Sequence, residues 1–171
     1  AEVFQDFAQK FRADCTASGA AKFIAAKRAE RAARHAKFGD SAYLVEPNIK
    51  EGKGGLRDLQ TLFWEARYAL GVSRVADLAS ATFLVGQETG GGLITEAEEK
   101  VFVRAMDFLW SVRFHLHYAT GRAEERLTFD LQPVIGARMG YTRHAATDGV
   151  ERFMKHYFLT AREVRRLTHV L

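Results

Sequence analysis

The chain has 171 residues, 47% hydrophobic and 27% charged, the balance of a globular protein able to bury one well-packed core. A formal net charge of +4 permits an anionic partner, and the lack of any run of about 18 apolar residues excludes a helical membrane span. Cys15 is the single cysteine, which excludes an intramolecular disulfide and a cysteine-based zinc site and suits a reducing cytoplasm.

Two prolines only, Pro47 and Pro133, and abundant alanine tilt the chain towards helix. The opening Ala1-Glu2-Val3-Phe4-Gln5-Asp6 lacks the charged and apolar regions of a signal peptide, and a start without Met suggests a piece of a longer protein. Val3, Phe4, Phe7, Ala8 and Phe11 recur at helical spacing and predict a helix over 2–14, ending before Ser18-Gly19. A second helix is expected over 20–37, where Lys22, Lys27, Arg28, Arg31, Arg34 and Lys37 oppose the single acid Glu30. Such a run reads as a solvated face. No aromatic residue interleaves it to stack bases, which argues against nucleic acid. Gly39 is the expected stop, and Ser41–Glu46 is short and extended at best, because Pro47 pushes Glu46 out of the α region.

Residues 48–60, Asn-Ile-Lys-Glu-Gly-Lys-Gly-Gly-Leu-Arg-Asp-Leu-Gln, hold the most information. Gly52, Gly54 and Gly55 lie between Lys50 and Lys53 on one side and Arg57-Asp58 on the other, and a helix pattern follows at once. Helix-opening amides after such a loop make a ready anion site. The run is neither a P-loop nor a dinucleotide fingerprint, since it lacks Gly-Lys-Ser/Thr, a third spaced glycine and a second strand. Two readings stand on the residues alone: a tight turn at a helix entrance, or a polar network of Lys50, Arg57, Asp58 and Gln60.

Leu56, Leu59, Phe63, Ala66 and Leu70 mark a third helix with Gly71 beyond its end. Residues 73–92 read as irregular, with one short helix at Arg74–Ala79 and a flexible joint at Gly90-Gly91-Gly92. Thr95 and Glu98 form a capping box. The helix they open carries Val101, Ala105, Phe108, Val112 and Leu116 and is closed by Gly121. Asp130 is expected to cap a short helix through Met139, with Gly140 ending it, and Asp148 with Glu151 to box the last one. The fold class is therefore all-α, an antiparallel bundle of about six or seven helices over 1–171 as a single domain.

Complete catalytic sets are missing. His115 and His117 lie about 200° apart around a helix and cannot converge on one ion, and there is no H-E-x-x-H, no His-Asp pair and no D-x-D. Cys15 has no neighbouring histidine, and no G-x-S-x-G elbow occurs. Arg113, Arg122, Arg126, Asp130 and Gln132 cluster around the junction after the long helix, either anchoring that loop by ion pairs or sharing a polar site that faces the glycine loop.

The stretch Tyr43-Leu44-Val45-Glu46-Pro47-Asn48-Ile49-Lys50-Glu51-Gly52-Lys53-Gly54-Gly55-Leu56-Arg57-Asp58-Leu59-Gln60 closely resembles the signature of bacterial PII uridylyltransferases, the uridylyl-removing enzymes of nitrogen control. So do Leu109–His117 followed by Gly121–Gln132, and Val150–Phe158. The resemblance covers most of the chain, most loosely 1–37 and 73–95. It implies a helical domain that follows a nucleotidyltransferase domain and precedes a phosphohydrolase domain and ACT domains. It further implies a parent enzyme that uses Mg²⁺ to transfer UMP from UTP to a tyrosine of the PII signalling protein.

The family's paired aspartates and its His-Asp motif are absent here, so no catalytic or metal-ligating residue is assigned and the fragment alone is expected to be inactive. Candidates for nucleotide or partner contact are Asn48, Lys50, Gly52, Lys53, Gly54, Gly55, Arg57, Asp58 and Gln60, with Arg113 and Arg126. Asp58 is expected to cap its helix or to pair with Arg57 or Lys50. The alternatives are a helical domain of the related glutamine-synthetase adenylyltransferases, whose glycine motif is similar, and a non-catalytic helical interaction module.

Overall fold

The computed structural model describes residues 2–17, 19–39, 41, 44–80, 93–143 and 147–169. The expected joint at Gly90-Gly91-Gly92 lies outside them, as do Ala42-Tyr43 and the side chains of Ala8 and Cys15. Among the described residues the class is all-α, as expected: α1 (Glu2–Ala17), α2 (Ala20–Lys37), α3 (Leu56–Leu70), α4 (Glu96–Thr120), α5 (Leu131–Arg138) and α6 (Gly149–Leu167). A 3-10 turn at Val75–Leu78 stands where a short helix is predicted.

Helix α6 shows why the core sits where it does. Phe153, Tyr157, Ala161 and Val164 recur three or four residues apart, so they share one face, and all are buried against α4 and α5. Leu59, Leu62 and Ala66 of α3 and Phe102, Leu109, Val112 and Leu116 of α4 close the same core. Helix α4, 25 residues long, is opened by the expected box: Glu98 N–H donates to Thr95 Oγ1 at 3.2 Å and Thr95 N–H to Glu98 Oε2 at 3.0 Å. Gly71 and Gly121 end α3 and α4 in the left-handed conformation, as their positions predict.

Two expected caps do not form. Asp130 has helical backbone angles, φ −69° and ψ −29°, whereas a cap needs an extended residue to aim its oxygen at the first turn. The carbonyl of Thr128 receives the Leu131 and Gln132 amides instead. Asp148 has the extended backbone of a cap, but its carboxylate accepts no amide from the first turn of α6.

Helix α1 runs three residues past its expected end at 14, and its apolar positions meet little. Val3, Phe4 and Phe7 are 85%, 71% and 63% exposed, while Phe11 touches Tyr68 of α3 edge-on. Helix α2 lies on α3, where Phe23 stacks on Tyr68 with ring centroids 4.0 Å apart. No residue of α2 is fully buried.

Candidate functional site

The glycine loop is wired to itself before it touches anything else. Asn48 Oδ1 accepts the Lys50 and Glu51 amides at 3.1 and 2.7 Å, and the Asn48 carbonyl accepts the Gly52 amide at 3.0 Å. The first three amides of α3 are also taken: Leu56 N–H donates to Ile49 O, Arg57 N–H to Lys50 O and Asp58 N–H to Gly55 O, at 2.9–3.1 Å. The helix mouth that the sequence suggests as an anion site therefore has no amide from these residues to offer. The chain then continues the bend by pairing Asn48 with Arg126 in an isolated antiparallel bridge, with Ile49 N–H donating to Glu125 O and Leu127 N–H to Pro47 O.

Gly54 sets the position of the loop on the core. Its φ is +83°, in the region that favours glycine, and a Cβ there would stand 2.5 Å from the carbonyl oxygen of Ala161 in α6. The loop backbone thus lies directly on the α6 backbone.

Asp58, 1% exposed, is the centre of the site. Its Oδ2 accepts the Gly54 amide at 2.8 Å, both carboxylate oxygens lie 2.9–3.0 Å from His35 Nε2, and Arg34 Nη2 donates to Oδ1. Burial pushes the Asp58 carboxyl up, but the bonds from His35 and Gly54 and the charge of Arg34 outweigh it and hold the group below its ordinary value. Its partners are neither Arg57 nor Lys50, the residues expected from sequence, but two residues of the basic helix. That helix is consequently not a purely solvated face: Arg31 Nη1 also donates inward, to Thr168 O at 2.8 Å.

The other expected residues fall into two further groups. Arg57 reaches Glu51 at 3.1 Å and Gln60 at 3.0 Å, with its guanidinium 5.5 Å from the Trp64 ring centroid. Lys50 lies 3.7 Å from Glu51 and 4.0 Å from Glu125. Arg113 grips Glu125 with both oxygens within 3.0 Å of its Nε, and His117 Nε2 is 3.5 Å from the same carboxylate. Arg34 Nε stands 3.8 Å from Glu51, so Asp58, Arg34, Glu51, Lys50, Glu125 and Arg113 form one continuous run of alternating charge. Arg126 stays outside it, exposed and paired with Glu46 at 3.0 Å, while Gln132 holds the Val45 carbonyl at 2.7 Å. Lys53 lines a cleft against α2.

Four residues of this network went unmarked in the sequence as site residues: Arg34, His35, Glu51 and Glu125. The first two sit in a charge run, and no local pattern separates them from their neighbours. The Mg²⁺ that the resemblance implies for the parent does not fit here, because Asp58, Glu51 and Glu125 are each engaged by the protein's own cations.

These features define a helical domain organised by a glycine-loop ion network, with the charged groups serving one another. The chain belongs to the GlnD PII-uridylyltransferase family, which is matched over residues 22–171. It is 58% identical over 154 residues to the bifunctional uridylyltransferase/uridylyl-removing enzyme of Gluconobacter oxydans (strain 621H), covering 88% of this chain and 16% of that protein. Identity is 52% to the enzyme of the same name from Azospirillum brasilense and 50% to that of Nitrobacter hamburgensis (strain DSM 10229 / NCIMB 13809 / X14), each over 169 residues, or 99% of this chain and 17% of the relative. The chain thus spans about a sixth of the length of these relatives. No solved structure matches it.

Proposed function

We propose that this chain is one helical domain of a longer, cytoplasmic, bifunctional uridylyltransferase/uridylyl-removing enzyme. The parent transfers UMP from UTP to a tyrosine of PII and removes it by hydrolysis. The carrying observation is identity of 50–58% to relatives of that name across 88–99% of the chain. No helix among the described residues is long and apolar enough to cross a membrane, which agrees with a cytoplasmic setting.

In this reading the catalytic aspartates and Mg²⁺ belong to the adjacent nucleotidyltransferase domain. The present chain supplies a rigid, positively charged wall. Lys50, Lys53 and Arg57 face phosphate or an acidic protein surface, and the Asp58 network keeps the loop that carries them from moving when the domains close.

Transfer of labelled UMP from UTP to PII, assayed with Mg²⁺, tests this directly. The longer protein labels PII and the 171-residue chain alone does not. Labelling of glutamine synthetase with AMP instead would assign the chain to the adenylyltransferase relatives. In the longer protein, Lys53→Ala lowers UMP transfer by about tenfold, the worth of one charge-assisted contact. Normal transfer by that variant, with intact folding, marks the domain as a non-catalytic interaction module.

A further inference from the structure

Helices α2 and α6 and the glycine loop enclose a cleft of about 350 Å³. Four positively charged side chains line it from three separate elements: Arg28 and Arg31 of α2, Lys53 of the loop and Arg165 in the last turn of α6. Among the described residues the one carboxylate in the lining is Asp58, and it is already matched by Arg34, His35 and the Gly54 amide.

Two of these cations, Arg28 and Arg165, have no counter-charge in contact among the described residues. Neither Arg28 nor Arg165 makes a side-chain hydrogen bond or ion pair with a described residue, and Arg28 acts on Glu65 only from a distance. Arg31 uses one nitrogen on the Thr168 carbonyl, which covers the negative end of α6 that would otherwise repel an anion. Ala32 and Ala36 form part of the wall, so small side chains leave room between the charges. Folding therefore gathers like charges into a concavity. That arrangement is unfavourable in itself and becomes favourable when an anion enters.

We propose that this cleft binds a phosphoryl group. Guanidinium forks fit phosphate oxygens in pairs, and a lysine adds a point charge to the same group. The cleft is concave and of small-ligand size, which suits a phosphate or diphosphate better than an extended acidic peptide, whose side chains need a broad face. This site lies beside the helix mouth rather than in it. It does not depend on which reaction the longer protein performs.

Calorimetric titration of the 171-residue chain with pyrophosphate at low salt tests the proposal, with cooperative urea unfolding as the check on each variant. Saturable binding with one site is expected, weakening as salt rises. Arg165→Gln and Lys53→Gln each weaken it by about tenfold, while Arg138→Gln on α5 leaves it unchanged. Where Lys53→Gln disturbs the loop, the double variant Arg28→Gln/Arg165→Gln carries the same test. UTP binding more tightly than pyrophosphate assigns the phosphates to a nucleotide, and equal affinities assign them to the free anion. No saturable binding, binding untouched by the double variant, or tighter binding of a glutamate peptide overturns the proposal.

Discussion

Asp58 and Glu65 lie two turns apart on one face of α3, beneath the basic helix α2, and only 1% and 2% of each is exposed. Their carboxyls nevertheless move in opposite directions. Burial raises both. At Asp58 direct bonds from His35 and Gly54, with the charge of Arg34, more than offset it. At Glu65 the attractions of Arg31, Arg28 and Lys27 act from a distance with no hydrogen bond from a described residue to the carboxylate, and the group ends above its ordinary value. A basic neighbourhood is thus not enough to keep a buried acid charged. Donors in contact are needed, because only they replace the water that burial removes.

The contrast is most exposed to Asp58→Ala. That change leaves Arg34 and His35 part-buried without their carboxylate, and a loss of about 3–5 kcal/mol is expected in urea unfolding. A loss below about 1 kcal/mol would remove Asp58 from the centre of the fold. Gly54→Ala should cost about 2–4 kcal/mol, since it adds a methyl against Ala161 O at a positive φ and pushes the loop, with the amide that Asp58 accepts, off the α6 backbone.

Acid titration sharpens the pair further. Asp58 has a lowered folded value, so its contribution is complete above the unfolded value of about 4 and fades as pH falls through the folded one. The wild type should therefore lose more stability below pH of about 4 than Asp58→Asn does. Glu65 has the reverse sign: with a raised folded value, its penalty appears as pH rises through that value. Glu65→Gln should gain up to about 1 kcal/mol at neutral pH and nothing under strongly acid conditions, and a destabilised variant at pH 7 would break the comparison. Arg74→Ala, which removes an exposed pair with Asp77, should change stability by less than about 0.5 kcal/mol and sets the lower end of the scale.

Much of the fold was legible because helix formation is decided within a few residues. Thr95 and Glu98 opened α4 as read, Gly71 and Gly121 closed their helices, and the spacing of Val112 and Leu116 put both in the core. The same local reading failed where burial was at stake. Val3, Phe4 and Phe7 have the spacing of a core face and stand largely exposed, since a period reports that a face exists without reporting what covers it. The glycine loop was recognisable as the key segment, and its family could be read from residues 43–60 themselves. Its inner partners could not.

Sequence alone determined the helices, the bend at Gly52–Gly55 and the family to which the chain belongs, because each is written in residues a few positions apart. Tertiary structure alone decided that Asp58 meets Arg34, 24 residues away, and that Arg31 meets Thr168, 137 residues away. Polar contacts at such separations depend on how packed helices bring distant groups into one low-dielectric space, and no local pattern of charge encodes that encounter.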